Sequence, residues 1–209
     1  MPKGAGPFCF HSFVVKLGEM SKFKFTPTPI PGILIIEPKA FADDRGFFME
    51  FYNQDGFAEN GFKEIFVQDN HSRSKKGVIR GLHYQINPYP MGKLVKCARG
   101  KIFDAGVDIR KGSPTFGKWF GEILSGENHK MLYFPPGFAH GFLSLDDGTE
   151  VIYKCTGLFN AASERAIIWN DPEIGIKWPL EQVKEVVVSE RDRKHPGLKD
   201  AETNFTFRG

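Results

Sequence analysis

A series of short apolar or alternating segments, separated by Gly, Pro, Asn and Asp, constrains the fold of this chain most strongly. In chain order they read GILIIEP, IFVQDN, GVIRGLHYQ, KLVKCARGKIFDAGVDI, WFGEILS, HKMLYFPPGFAHGFLSL and EVIYKCTGLF. Segments of this kind, with turn residues between them, are typical of β-strands. Helical signal is sparse and confined to NQDGFAEN and to PLEQVKEV, which starts at Pro179. We therefore predict an all-β fold, an antiparallel sandwich or barrel with a few short helices.

The size and composition of the chain suit a single domain. A chain of 209 residues, 41% of them hydrophobic, can bury one sizeable core, and its 21 Phe suit the interior of a sandwich or barrel. We predict one domain over residues 23–209, preceded by a flexible leader over residues 1–22. The leader makes a poor signal peptide, because His11 and Ser12 interrupt its apolar patch and no small-residue cleavage site follows.

Charge and cysteine content exclude several classes of partner. The net charge of +3 is too small to indicate nucleic acid, although it is compatible with an anionic small ligand. No apolar run approaches the roughly 20 residues that span a bilayer, so we expect no membrane association. Cys9, Cys97 and Cys155 lack the spacing of a metal or redox site, which favours a reducing compartment and a cytoplasmic location.

Two short segments between the strands have simple structural interpretations. ARGKI is typical of a tight hairpin, and HSRSKK is typical of a solvated basic loop. Arg45 in DDRGFF could pair with Asp43 or Asp44 in a surface turn, and a strand tyrosine such as Tyr153 is usually a packing residue.

The segment Ile79–Gln85, IRGLHYQ, carries polar groups where a buried strand would have apolar ones. In a regular strand Arg80 and His83 point to opposite faces. Gly81 lies between them and is a natural position for a β-bulge, which would bring both side chains to one side. We predict such a bulge, because without it Arg80 would lie outside the barrel.

His83 is the best candidate for a general base, since the ordinary pKa of imidazole lies close to physiological pH. The alternative is a structural histidine with both ring nitrogens satisfied. A base of this kind also needs a carboxylate that orients its second nitrogen. Asp104, Asp108, Asp171 and Asp192 are all possible partners, and their spacing does not choose among them.

PPGFAHGF places Pro135, Gly137 and His140 in a pattern that resembles the second signature of the cupin barrels, in which the histidine often binds a metal. A facial metal site needs three or more protein ligands. The sequence offers His83 and His140, with His71 as a weaker third candidate. We therefore predict that the protein uses no metal.

The chain resembles the dTDP-4-dehydrorhamnose 3,5-epimerases of nucleotide-sugar biosynthesis from about Ile30 to about Pro196. The resemblance rests on IIEPKAFADDRGFFMEFYN, FVQDNHSRSKKGVIRGLHYQ, GKLVKCARGKIFDAGVDIRKGSPTFGKW, FPPGFAHGFLSL, YKCTGLFN, WNDPEIGIKWP and SERDR. Ordinary cupins do not share FVQDNHS or VDIRKGSPTFGKW. The resemblance implies a double-stranded β-helix (a cupin jelly roll), a homodimer, and neither a cofactor nor a metal.

The resemblance also implies roles for individual residues. His83 matches the catalytic base, Asp192 its carboxylate partner, Tyr153 the general acid, and Lys93 the cation that stabilises an enolate. Substrate-binding positions match Arg45, Phe48, Glu50, Gln68, Asn70, Arg80 and His140, and Arg191 is a plausible further contact. The segment with Arg45 and Glu50 is expected to reach into the site of the partner subunit.

The implied reaction inverts C3 and C5 of dTDP-4-dehydro-6-deoxy-D-glucose and yields dTDP-4-dehydro-L-rhamnose. The presence of Tyr153 favours inversion at both carbons. Rival interpretations are a mono-epimerase or ketoisomerase on a related sugar, a non-catalytic sugar-nucleotide-binding cupin, and a metal-dependent cupin oxygenase or isomerase. The choice between thymine and uracil stays open, and the tail HPGLKDAETNFTFRG has no assigned role.

Overall fold

The computed structural model describes residues 22–207, so the predicted leader lies outside it except for its last residue. In chain order the strands are β1 (Phe23–Pro27), β2 (Leu34–Pro38), β3 (Ala40–Asp43), β4 (Gly46–Met49), β5 (Gln68–Ser74), β6 (Val78–Gln85), β7 (Lys93–Arg99), β8 (Lys101–Asp108), β9 (Trp119–Ser125), β10 (Met131–Phe134), β11 (Phe138–Ser144), β12 (Thr149–Cys155), β13 (Glu164–Ala166) and β14 (Val187–Val188). Helix α1 spans Gln54–Glu59, and 3₁₀ helices span Leu180–Gln182 and Asp192–Lys194. No helix within residues 22–207 is both long enough and apolar enough to cross a membrane.

Two large sheets form the body of the domain, which confirms the all-β prediction. The first has the strand order β1-β2-β10-β7-β12-β5, and the second has the order β13-β6-β11-β8-β9 with β14 parallel to β6. Apolar side chains from both sheets meet in one core cluster, which includes Val95, Leu132, Phe134, Phe138 and Phe142. Burial of these groups is the main favourable term in the stability of such a sandwich.

A second aromatic cluster packs α1 against the outer side of the first sheet. Phe57 on α1 is 1% exposed and meets Phe23 and Tyr52 edge to face at ring-centroid distances of 4.9 Å each. Asn53 caps the helix by accepting a 2.6 Å hydrogen bond from the Gly56 amide. The helix predicted from NQDGFAEN is therefore confirmed, whereas PLEQVKEV forms a 3₁₀ helix over Leu180–Gln182.

The ARGKI segment turns the chain from one sheet into the other, so the hairpin prediction was wrong. Strand β7 pairs with β10 and β12 in the first sheet, while β8 pairs with β11 and β9 in the second. Gly100 between them has φ +75°, a conformation that favours glycine at a tight turn. A turn signal shows where the chain changes direction, but pairing is decided by the strands that arrive from elsewhere in the sequence.

The HSRSKK segment is mainly strand, so the loop prediction was wrong as well. Strand β5 continues to Ser74 and pairs with β12 along its whole length. Its polar residues alternate, with His71 and Arg73 exposed on the outside and Ser72 and Ser74 turned inward. A polar outer face is compatible with a strand, because only the inner face has to pack.

The C-terminal tail is part of the folded domain. Thr203 Oγ1 donates to the Ile109 carbonyl at 2.9 Å, and Tyr84 Oη donates to the Glu202 carbonyl at 2.7 Å. Phe205 is 7% exposed and belongs to the core cluster of the second sheet. The tail therefore covers apolar surface that the second sheet would otherwise expose.

The bulge predicted in β6 is confirmed. His83 lies opposite His140 and Arg80 lies opposite Phe142, so β6 takes three steps where β11 takes two. Gly81 has φ +129°, and a Cβ atom there would lie 2.5 Å from the Gly141 Cα and 2.8 Å from the His140 carbonyl oxygen. The two strands approach so closely that a side chain does not fit between them.

Replacing Gly81 by Ala should destabilise the protein much more than replacing Gly46. Gly46 has nearly the same φ, +128°, but a Cβ atom added there would meet nothing within 4 Å. Gly46→Ala should therefore cost about 1–2 kcal/mol from backbone conformation alone. Gly81→Ala adds a clash with backbone atoms and should cost about 3 kcal/mol or more. Urea unfolding of both variants measures the difference, and equal losses would contradict the close approach.

Candidate active site

The inner faces of the two sheets enclose a cavity of about 520 Å³. A neighbouring cavity of about 320 Å³ shares part of its wall. Seven predicted site residues line the larger one: Arg80, His83, Lys93, His140, Tyr153, Arg191 and Asp192. The smaller one is lined by Gln68 and Asn70 and shares His83, Lys93, Tyr153 and Glu164 with the first. The structure thus brings most of the predicted site together in two neighbouring cavities with shared wall residues.

His83 and Tyr153 come from opposite sheets and line the same cavity. His83 lies on β6 of the second sheet, and Tyr153 lies on β12 of the first. Tyr153 pairs with Val95 on β7, which places Lys93, two residues away, on the same face. Lys93 Nζ lies 3.4 Å from the carbonyl oxygen of His83, so its ammonium group extends across the gap between the sheets.

His83 Nε2 forms a 2.8 Å hydrogen bond with Asp192 Oδ1. Asp192 begins a 3₁₀ helix, and its amide donates to Ser189 Oγ at 3.0 Å, which sets the direction of the carboxylate. Burial opposes ionisation of Asp192, but hydrogen bonding and charge from His83, and then from His195, lower its pKa to about 2. The carboxylate is therefore ionised near neutral pH and can accept a hydrogen bond from an Nε2–H group of His83.

The three other aspartates that the sequence left open have different partners. Asp104 Oδ1 joins His140 Nε2 at 2.7 Å. Asp108 binds the Arg110 guanidinium and two hydroxyl groups. Asp171 accepts hydrogen bonds from three backbone amides. Spacing did not choose among the four aspartates, whereas the family resemblance indicated Asp192. The structure agrees with the resemblance, because it brings the C-terminal segment with Asp192 to His83 on β6.

Burial shifts the pKa values of two other polar groups of the cavity. It raises the pKa of the Tyr153 phenol, which keeps this group protonated at neutral pH as a proton donor requires. It lowers the pKa of Lys93, while Cys155, Asp104 and Glu164 act in the opposite direction. A half-buried ammonium acts more strongly on nearby charge than it would in water.

His140 and Asp104 form a second, fully buried pair. Burial lowers the pKa of His140 and raises that of Asp104, so neither group favours a full charge. Asp104 Oδ2 has no hydrogen-bond partner among the described residues. The contact with Asp104 thus fixes the His140 ring at the wall of the larger cavity.

Arg45, Phe48 and Glu50 lie away from both cavities of their own chain. Arg45 pairs with Asp43, as the simple interpretation of DDRGFF expected, and its side chain is 90% exposed. Glu50 pairs with Lys22 at 3.1 Å, and Phe48 is 72% exposed on the β3–β4 hairpin. Within a single chain these three residues therefore line neither cavity.

Comparison with known protein sequences assigns this chain to a family. A family profile described as dTDP-4-dehydrorhamnose 3,5-epimerase matches residues 27–200. The dTDP-4-dehydrorhamnose 3,5-epimerase of Methanothermobacter thermautotrophicus is 50% identical over 87% of this chain and 97% of its own length. This chain belongs to the dTDP-4-dehydrorhamnose 3,5-epimerase family.

Solved structures of this family share the fold. A Legionella pneumophila dTDP-6-deoxy-D-glucose-3,5-epimerase in complex with dTDP-4-keto-L-rhamnose has a TM-score of 0.82 and 46% identity, and the match covers 85% of this chain and 94% of that one. The expected cupin jelly roll is thus confirmed. A 3'-monoepimerase from Streptomyces bikiniensis, solved as a double mutant with dTDP, has a TM-score of 0.77 and 32% identity, covering 83% and 86%. Its two altered residues, a histidine and a tyrosine, have the same spacing as His83 and Tyr153.

Sequence reasoning on this epimerase-family chain missed several residues of the cavities. Glu164 borders both cavities and pairs with Arg191 at 2.7 Å. Phe159 lines the smaller cavity, is 56% exposed, and donates its amide hydrogen to Gln68 Oε1 at 2.9 Å. The strand segment predicted from EVIYKCTGLF ends at Phe159, whereas β12 ends at Cys155 and Phe159 follows in a loop. Glu164 carried no signal of its own in the sequence.

Replacing Asp192 by Asn should flatten the acid dependence of stability. Because the folded pKa of about 2 lies below the ordinary 3.8, the ionised carboxylate stabilises the epimerase-family fold above about pH 4, and this contribution disappears as the pH falls through 2. Solvent screening limits it to on the order of 1–2 kcal/mol.

Urea unfolding between about pH 5 and pH 2 measures this contribution. The stability difference between wild type and Asp192→Asn should shrink as the pH falls. Asp200→Asn, at an exposed position nearby, serves as the control. A wild-type advantage that stays constant over this range would contradict the assignment.

Proposed function

We propose that this chain inverts C3 and C5 of dTDP-4-dehydro-6-deoxy-D-glucose to give dTDP-4-dehydro-L-rhamnose. The observation that carries the proposal is the opposition of an imidazole–carboxylate pair and a phenol across one cavity, with the Lys93 ammonium group lining the same cavity from the sheet that carries the phenol. A relative 50% identical to this chain is a 3,5-epimerase, and a structural neighbour holds dTDP-4-keto-L-rhamnose.

The first step is removal of a proton next to the C4 ketone. C3 and C5 both flank this carbonyl, so one activated oxygen makes both C–H bonds acidic. His83 Nδ1 takes the proton, while Asp192 holds the ring in the required tautomer and stabilises the imidazolium that forms.

The electron pair of the broken C–H bond passes into the enolate, and negative charge develops on the C4 oxygen. Lys93 is the cation of the cavity that faces this charge from the side of the first sheet. Because it is withdrawn from bulk water, its stabilisation of the enolate is not lost to solvent screening.

Inversion requires that the new C–H bond form on the opposite face of the ring. Tyr153 lies on the opposing sheet and holds its proton at neutral pH, so it donates to the enolate carbon and becomes a tyrosinate. Exchange with solvent then returns a proton to Tyr153 and removes one from His83. A second round inverts the other carbon.

The smaller cavity suits the nucleotide. Gln68 and Asn70 offer hydrogen-bonding groups for a base edge, and the exposed ring of Phe159 offers a stacking face. Arg80 and Arg191 line the larger cavity and match the oxygens of a diphosphate.

A mono-epimerase is the second candidate, and one observation favours keeping it. The Streptomyces bikiniensis 3'-monoepimerase has a histidine and a tyrosine with the spacing of His83 and Tyr153. The presence of Tyr153 therefore does not by itself distinguish single from double inversion, contrary to the expectation from the sequence. The choice of double inversion rests on the relatives of about 50% identity.

We further propose a homodimer in which the β3–β4 hairpin completes the site of the partner subunit. The hairpin exposes Phe41, Phe47 and Phe48 by 50–72%, an apolar surface that an isolated chain would leave in water. Arg45 and Glu50 flank this surface and would supply a diphosphate contact and a polar contact to the base. Cys97 and Cys155 are free thiols, which supports a cytoplasmic location.

Incubation with dTDP-4-keto-6-deoxyglucose in D₂O tests the catalytic roles. Wild type should incorporate deuterium at both C3 and C5. His83→Ala should lose exchange by about 10²–10⁴-fold, because the variant lacks the imidazole that the proposal assigns as the base. Tyr153→Phe should keep exchange through His83 but lose the doubly inverted product, which proton NMR of the sugar identifies.

His71→Ala is the matched control, since His71 is an exposed histidine on the outer face of β5. It should behave as wild type. Wild-type exchange in His83→Ala would remove the base assignment, and incorporation at a single carbon by the wild type would favour the mono-epimerase.

Subunit complementation tests the shared site. Arg45→Ala and His83→Ala homodimers should each be nearly inactive at low substrate concentration. After unfolding and refolding together, a mixed dimer contains one site with both native residues. Random pairing should then restore about a quarter of wild-type activity. If the mixture shows no more than the sum of its parents, the hairpin does not serve the partner.

A further inference from the structure

Asp192 holds a second imidazole that the proposed mechanism does not use. His195 Nε2 lies 3.3 Å from Asp192 Oδ1, the same oxygen that binds His83 Nε2 at 2.8 Å. The two rings are nearly perpendicular, with centroids 6.0 Å apart. His195 lies three residues after Asp192, at the end of the 3₁₀ helix, so its position is tied to that of the carboxylate.

These three side chains form a donor set suited to a divalent metal. One ligand atom from each lies within 4.8 Å of the others. Two imidazole nitrogens and one carboxylate oxygen match the three-ligand zinc sites that leave a fourth position open. Ligands about 2.0–2.1 Å from a tetrahedral zinc are about 3.3 Å from one another. The His195–Asp192 separation already has this value, and the His83–Asp192 pair needs to open slightly.

The surrounding charges permit a cation at this position. Asp192 is ionised at neutral pH, and Glu164 lines the same cavity. The nearby cations that oppose a metal include Arg80, Lys93 and Arg191 in the same cavity, and Arg193 and Lys194 on the 3₁₀ helix itself. Arg80 donates to Ser74 Oγ at 3.1 Å, and Arg193 donates to the Val188 carbonyl oxygen at 3.1 Å. Arg191 is paired with Glu164 at 2.7 Å, and Lys93 is directed toward the His83 carbonyl oxygen.

We propose that His83, Asp192 and His195 form an inhibitory site for Zn²⁺ and similar borderline divalent metals. The prediction of no metal rested on His83 and His140, with His71 as a weaker third ligand, and did not consider His195. This site is different, because it would form at the expense of the catalytic pair.

Inhibition follows from the tautomer of His83, and this part rests on the proposed function. A metal bound to Nε2 needs the lone pair of that nitrogen, so the ring proton must reside on Nδ1. Nδ1 then has no lone pair with which to remove a substrate proton. Metal binding also breaks the hydrogen bond to Asp192 that maintains the catalytic tautomer.

Calorimetric titration of Zn²⁺ into the full chain without substrate tests the site itself. Wild type should bind one ion per chain. His195→Gln keeps a hydrogen-bond donor for Asp192 but removes a ligand, and should weaken binding by at least about tenfold, since even indirect partners of a metal contribute about that much. His71→Gln, at an exposed histidine paired with Glu150, should bind as wild type does. His195→Phe, which keeps a ring but has no ligand atom, should repeat the loss.

Co²⁺ provides a second readout, because a tetrahedral complex absorbs strongly in the visible and an octahedral one weakly. Wild type and His71→Gln should give the strong spectrum, and both His195 variants should not. Unchanged affinity in the His195 variants, or weak spectra throughout, would overturn the proposal.

Deuterium exchange then tests inhibition. Zn²⁺ should abolish exchange in wild type, EDTA should restore it, and His195→Gln should require at least about tenfold more Zn²⁺. Zinc bound through His195 without loss of exchange would overturn the inhibitory role. Failure of the metal-free enzyme to exchange at all would instead count against the proposed function, while the binding result would stand.

Discussion

The close approach of β6 and β11 at Gly81 and Gly141 is the constraint on which the rest of the site depends. A bulge is the way in which β6 accommodates this contact, because backbone atoms of β11 occupy the space of a side chain. The extra residue changes the parity of the strand, so Arg80 and His83 both line the cavity. Removing the bulge would turn one of them away from the cavity and separate the guanidinium of Arg80 from the imidazole of His83.

The jelly roll by itself places the proposed base, His83, and the proposed acid, Tyr153, on opposite sheets. Because two sheets face each other, groups on their inner surfaces approach a ligand from opposite sides. The second sheet carries His83, whose orienting carboxylate, Asp192, arrives from the C-terminal segment. The first sheet carries Tyr153 and Lys93, and burial keeps the phenol protonated. The same enclosure that stabilises the fold therefore sets the protonation states that an inversion needs.

Sequence patterns recovered the strands well because their information is local. Alternation and turn residues located nearly every strand of the two sheets from β2 to β12, and the parity of Arg80 and His83 around Gly81 was enough to predict the bulge. The wrong predictions concerned which strands pair with each other and whether a polar segment is strand or loop. ARGKI joins two sheets, and HSRSKK is an edge strand whose outer face is polar. The β1 strand and the β3–β4 hairpin were not recognised as strands at all.

By itself the sequence determined the all-β class, the position of the bulge and the residue types available for proton transfer, since each follows from side-chain period and intrinsic chemistry. Spacing left four aspartates open as partners of His83, and only the family resemblance indicated Asp192. Tertiary structure brings Asp192 to His83, although Asp104 is much closer to it in the chain and instead binds His140. It also placed His195 on Asp192 and Glu164 beside Arg191. Contacts between distant segments depend on how whole sheets pack, and a local sequence pattern carries no information about which distant residues will meet.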